Sequence, residues 1–143
     1  MKSDSPGRGR VDHVGVAVAD LEQAVRAYTG VLGMPLEARE EVPSEGCEVA
    51  FVGAGDCHVE LLRPLTADSA VGRHLERRGA GVHHVAVRVD DIEASVARAR
   101  AAGIEVLAPG VRPGAGGARV AFLHPRDCGG VLIELTTGRA GGH

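Results

Sequence analysis

Asp12-His13-Val14-Gly15-Val16-Ala17-Val18-Ala19-Asp20-Leu21-Glu22 aligns without gaps on His83-His84-Val85-Ala86-Val87-Arg88-Val89-Asp90-Asp91-Ile92-Glu93, 71 residues further along the chain. At this offset His13 falls on His84, Asp20 on Asp91, Glu22 on Glu93 and Val25 on Val96. Further on, Ala50-Phe51-Val52 falls on Ala121-Phe122-Leu123. Self-similarity at one fixed period means that a single supersecondary unit is used twice. The repeats span about 11–66 and 82–137 and form one domain over 11–137. A flexible leader, 1–10, precedes it, and a flexible tail, 138–143, follows.

Each repeat opens with alternating apolar residues, Val14, Val16 and Val18, then Val85, Val87 and Val89, which is the period of a half-buried strand. An aspartate follows, Asp20 or Asp91, able to accept hydrogen bonds from the amides of a first helical turn. Apolar residues at helical spacing come next: Leu21, Ala24, Val25 and Tyr28, then Ile92, Val96 and Ala99. Gly33 and Gly103 are natural stops. Three strand-like segments complete each unit, 36–42, 48–52 and 58–62 in the first, 105–107, 119–123 and 131–135 in the second, separated by Pro and Gly breakers. The expected class is α+β, a βαβββ unit used twice. With one helix per unit, one sheet face is covered and the other must find cover or enclose something.

Apolar residues make up 44% of the chain and charged residues 24%, the balance of a globular protein. A net charge of −3 with two Phe, one Tyr and no Trp leaves neither a basic surface for phosphate backbones nor a stacking platform for bases, so nucleic acid is not an expected partner. No stretch reaches the roughly 20 apolar residues of a membrane span, and 1–10 lacks the apolar core of a signal peptide. A cytoplasmic location follows. Cys47, Cys57 and Cys128 form no CxxC pair, and their odd number reads as reduced structural thiols.

His13 and His84 occupy equivalent places on the two opening strands. The closing strands each carry one carboxylate in an apolar run, Glu60 in Val59-Glu60-Leu61-Leu62 and Glu134 in Leu132-Ile133-Glu134-Leu135. A buried carboxylate needs a cation, a partner or a raised pKa. Two-fold related repeats would bring the four residues around one axis, with two neutral imidazoles and two ionised carboxylates balancing a divalent cation. Such a donor set suits cobalt, manganese, zinc, nickel or iron(II). His58 shares a strand face with Glu60 and is a possible ligand, but has no counterpart in the other repeat. His83 is expected to point away from His84, since strand neighbours face opposite sides. His124 beside a Gly-rich loop could face substrate or structure the loop, and Pro113–Ala118 reads as a lid or a close backbone approach to substrate.

These residues resemble the vicinal oxygen chelate superfamily and, within it, the methylmalonyl-CoA epimerase family. The matching stretches are Val11–Val18, Glu60–Leu65, Asp68–Val71, Gly81–Val87, Gly114–Gly117, Phe122–Pro125 and Gly130–Leu135. The resemblance implies a curved, incompletely closed mixed sheet around one divalent metal per chain, held by His13, Glu60, His84 and Glu134. It implies interconversion of the (R) and (S) forms of methylmalonyl-CoA through a metal-stabilised enolate, with Glu134 and Glu60 as the proton-moving residues, an acyl-CoA substrate held partly by basic residues such as Arg126, and a homodimer. A glyoxalase-I-like isomerase and a non-catalytic ligand-sequestering protein are the alternatives on the same fold. One departure stands out: where some family members carry a second catalytic Glu, this chain has Val49. Glu48 is one residue early, on the opposite strand face.

Overall fold

The computed structural model describes residues 7–138, so most of the expected leader and tail, 1–6 and 139–143, lies outside the described residues. The chain divides into two compact units, His13–His84 and a second formed by the residues up to Asp12 with those from Val85 onward. The division falls inside the two opening strands, β1 (Arg10–Ala17) and β5 (Gly81–Arg88).

In the first unit β1 leads into α1 (Leu21–Arg26), which continues as one π-helical stretch, Ala27–Val31. Asp20 caps it, its carboxylate accepting from Gln23 N at 3.0 Å, and Gly33 ends it at φ 71°. Strands β2 (Leu36–Val42), β3 (Cys47–Ala54) and β4 (Cys57–Pro64) follow, in the spatial order β2-β3-β4-β1. Only β1 and β4 run parallel. Val16, Val18, Ala50, Val52, Val59 and Leu61 face Leu21, Ala24, Val25 and Tyr28 of the helix, forming a core on one side of the sheet. The registers His13↔His58, Gly15↔Glu60 and Phe51↔Glu60 place those residues on the other face, opposite α1.

The second unit repeats the plan with α3 (Ile92–Ala101), β7 (Arg119–Leu123) and β8 (Ile133–Thr136). Asp91 caps α3 by accepting from Ala94 N at 3.0 Å, and Gly103 follows at φ 80°. Ile92, Val96 and Ala99 pack on Ala121, Leu123 and Leu135. On the opposite face Glu134 stands across from Ala86 and Phe122. The duplication is therefore kept in the register itself: Gly15, Phe51 and Glu60 in one unit answer to Ala86, Phe122 and Glu134 in the other.

Three sequence expectations change. The strand expected at 105–107 is reduced to a single bridge, Val106 to Leu123, and pairing with β7 resumes only at β6 (Arg112–Pro113). The Ala108-Pro109-Gly110 turn causes the break, because Pro109 has no N–H to give a ladder. The last strand starts at Ile133 rather than Val131, after the turn at Gly129 and Gly130. Between the repeats lies α2 (Ala70–Arg78), capped by the Ser69 hydroxyl, which accepts from Gly72 N at 3.0 Å. Its signals, a Ser cap, Val71 and Leu75 four apart and Gly79 after the end, are in the sequence, but it has no counterpart in the second repeat and so escapes a reading built on the repeat. Among the described residues no helix is long and apolar enough to cross a membrane, and all three cysteines are free.

Candidate metal centre

Each of His13, His58, Glu60 and His84 is at least nine-tenths buried. In the first unit the parallel pairing of β1 with β4 sets His13 beside His58 and Gly15 beside Glu60. Gly15 is a glycine for a reason of space. A methyl group there would stand 2.5 Å from Nδ1 and 2.7 Å from Nε2 of His84, whose ring lies against the bare backbone.

The Nε2 atoms of His13 and His84 face each other at 3.1 Å, with the rings edge to face. Two imidazole nitrogens at the usual zinc distance from one cation are separated by about 2.9 Å at a right angle and about 3.3 Å at a tetrahedral one. The observed spacing lies between these values, and the donor set of imidazole and carboxylate is one that borderline divalent cations accept. The residues present fit such an ion.

For both Nε2 lone pairs to face a cation, each ring must carry its proton on Nδ1. The structure supplies an acceptor for each. His13 Nδ1 lies 3.2 Å from Glu60 Oε2, and His84 Nδ1 lies 2.9 Å from His83 Nδ1. Carboxylate and nitrogen acceptors behind metal-binding histidines fix tautomer and ring orientation. In this arrangement Glu60 Oε2 sits at the Nδ1 edge of His13.

His83 corrects the expectation that it would point away from His84. Alternation fixes only the direction of Cα–Cβ, and χ1 lets a ring as long as imidazole turn along the strand, so the two rings meet edge to face with centroids 5.2 Å apart. His74 of α2 packs in turn on His83 at 4.9 Å, and burial holds its pKa below the usual imidazole range, helped by Arg78.

Glu134 is buried on β8, on the helix-free face of the second unit. Asp12, which sequence reasoning passed over, is buried in the same unit and accepts from Arg88 Nη2 at 2.6 Å and Nε at 3.0 Å, so its charge is already paired. The signal was available: a carboxylate next to His13 in a strand, with no equivalent at His83.

Glu48 is turned to the helix side of β3, where it accepts from Arg63 at 3.0 Å and Arg39 at 3.1 Å. The Arg63 guanidinium, and then that of Arg39, holds its carboxyl below the usual carboxylate range. Val49, 1% exposed, takes the opposite face with Phe51 and Glu60. Glu48→Gln is expected to leave turnover nearly unchanged. A loss of roughly 100-fold, about 2.7 kcal/mol of transition-state stabilisation, would show that Glu48 reaches the reacting atoms.

His124 Nδ1 accepts from Arg126 N at 3.0 Å and caps a short 3₁₀ turn, Pro125–Asp127, which is its loop-structuring role. Arg126 donates to Glu105 and Asp127. The Gly-rich stretch forms the tight connection between β6 and β7, closed by Gly114 N donating to Ala118 O at 2.9 Å.

The model of the glyoxalase/bleomycin resistance protein/dioxygenase superfamily matches residues 12–122. Over 128 residues the chain is 43% identical to the mitochondrial methylmalonyl-CoA epimerase of Homo sapiens, covering 89% of this chain and 73% of that protein. Over 129 residues it is 41% identical to the ethylmalonyl-CoA/methylmalonyl-CoA epimerase of Cereibacter sphaeroides, covering 89% and 96%. A solved structure of a Streptomyces coelicolor methylmalonyl-CoA epimerase variant in complex with 2-nitronate-propionyl-CoA superposes with a TM-score of 0.87 at 39% identity, covering 92% of this chain and 95% of that one.

Proposed function

Because the chain belongs to the glyoxalase/bleomycin resistance protein/dioxygenase superfamily, and within it to the methylmalonyl-CoA epimerase family, we propose that it interconverts (R)- and (S)-methylmalonyl-CoA in a metal-dependent reaction. His13, Glu60, His84 and Glu134 hold one divalent cation in this reading. The observation that carries it is the pair of buried Nε2 atoms facing each other at 3.1 Å from equivalent places in a duplicated sequence. The cation, when bound, supplies the positive charge that a developing enolate oxygen needs.

The chain's own groups do the rest. A carboxylate oxygen of Glu134 takes the proton as the Cα–H bond breaks, and Glu60, in its acid form, returns one to the other face of the carbon, so the substrate gains and loses one proton. The equivalence of the two glutamates in register supports this division of labour, each serving one face. Burial keeps bulk water from protonating the intermediate at random. An acyl-CoA substrate, a homodimer and a cytoplasmic location belong to the same reading.

The test is exchange of the substrate α-proton with solvent deuterium. We expect exchange by the metal-loaded protein, none after chelation and recovery on adding back cobalt or manganese. Metal-loaded protein that exchanges nothing but turns over methylglyoxal plus a thiol would favour the glyoxalase-like alternative. Wild-type protein that takes up no divalent cation would favour the ligand-sequestering one.

A further inference from the structure

His58 is fully buried, its ring stacked on His13 at a centroid distance of 4.9 Å and tilted against Phe51 at 5.7 Å. Its Nε2 lies 2.9 Å from Glu60 Oε2, the same oxygen that approaches His13 Nδ1. In its ionised form the Glu60 carboxylate only accepts, so His58 is then the Nε2–H tautomer and the donor. Two rings and a strand backbone fix both of its χ angles, and its N–H therefore meets the carboxylate without having to be ordered first. The second repeat does not repeat this histidine in sequence: at the place related to His58 as Glu134 is to Glu60 stands Leu132. Glu60 is thus braced by an imidazole from its own strand.

We propose that His58 is a positioning residue that holds Glu60 Oε2 against His13 Nδ1, fixing the tautomer that turns the His13 Nε2 lone pair toward the cation, and so sets the affinity of the site for its divalent cation. The inference rests on the metal-binding reading above. Partners of this kind typically contribute 10- to 100-fold to metal affinity.

The experiment measures cobalt(II) affinity of the full chain by chelator competition, with thermal melting of the metal-free proteins as the control for folding. His58→Leu, which gives the first repeat the residue of the second, is expected to weaken binding by roughly 10- to 100-fold. His58→Gln, which keeps an N–H donor, is expected to recover most of the loss. In a Glu60→Ala background His58→Leu is expected to change nothing further, since the effect acts through Glu60. Unchanged affinity in His58→Leu, or an equal loss in both backgrounds, overturns the proposal. A measurement on wild type is independent of how the variants fold: ¹⁵N NMR of metal-free protein should show His58 as the Nε2–H tautomer, and the Nδ1–H tautomer overturns the proposal. Wild type that binds no cobalt overturns the metal-binding reading itself, a result distinct from any of these.

Discussion

Glu134→Gln is expected to retain metal and to lose α-proton exchange. The amide keeps a neutral oxygen as a possible ligand, and the helix-free surroundings of β8, with Phe122 and Ala86 across the ladder, are unchanged in volume. What disappears is a base of the right strength, and a positioned general base contributes typically 10²- to 10⁴-fold, or about 2.7 to 5.5 kcal/mol of barrier. The two readouts are metal content of the purified variant and the rate of deuterium incorporation into methylmalonyl-CoA. A variant that holds metal and exchanges at the wild-type rate makes Glu134 a ligand only, and the proton transfer would then belong to another group.

Gly15→Ala should be almost as damaging, although it adds only one methyl group and removes no ionisable atom. The backbone of β1 is held by its ladder with β4, so the new Cβ cannot retreat. It would stand well inside contact distance of the His84 ring, 2.5 Å from Nδ1 and 2.7 Å from Nε2. The imidazole must leave, and with it go the Nε2 that faces His13 and the Nδ1 that meets His83. Losing a proposed direct ligand should cost more than the roughly 10- to 100-fold typical of an outer partner. Metal affinity by chelator competition checks this, with the melting temperature of the metal-free variant showing whether the fold survives. Wild-type affinity in Gly15→Ala would mean that the ring is not held against β1 when metal binds.

The side of β3 that carries Glu48 illustrates how far strand parity reaches. Counting residues from Phe51 and Glu60 is enough to put Glu48 on the opposite face, and Arg39 and Arg63 are found there to meet it. The same counting fails at His83, because parity speaks for the Cα–Cβ bond and a ring extends beyond it. It also fails at 105–107, where apolar composition alone suggests a strand and a proline two residues later removes the donor that a ladder needs.

The sequence by itself determined the duplicated βαβββ plan, the two aspartate caps and the four residues proposed to bind metal. Periodicity, capping and repetition are local or translational signals, and a chain carries them in its order. The tertiary structure alone decided that Gly15 is kept small by a ring 69 positions away, that His58 braces Glu60, and that His83 stands behind His84. Each of these depends on strand register and side-chain rotamer, which bring together atoms whose order along the chain gives no distance, and steric exclusion and hydrogen-bond direction act only once those distances exist.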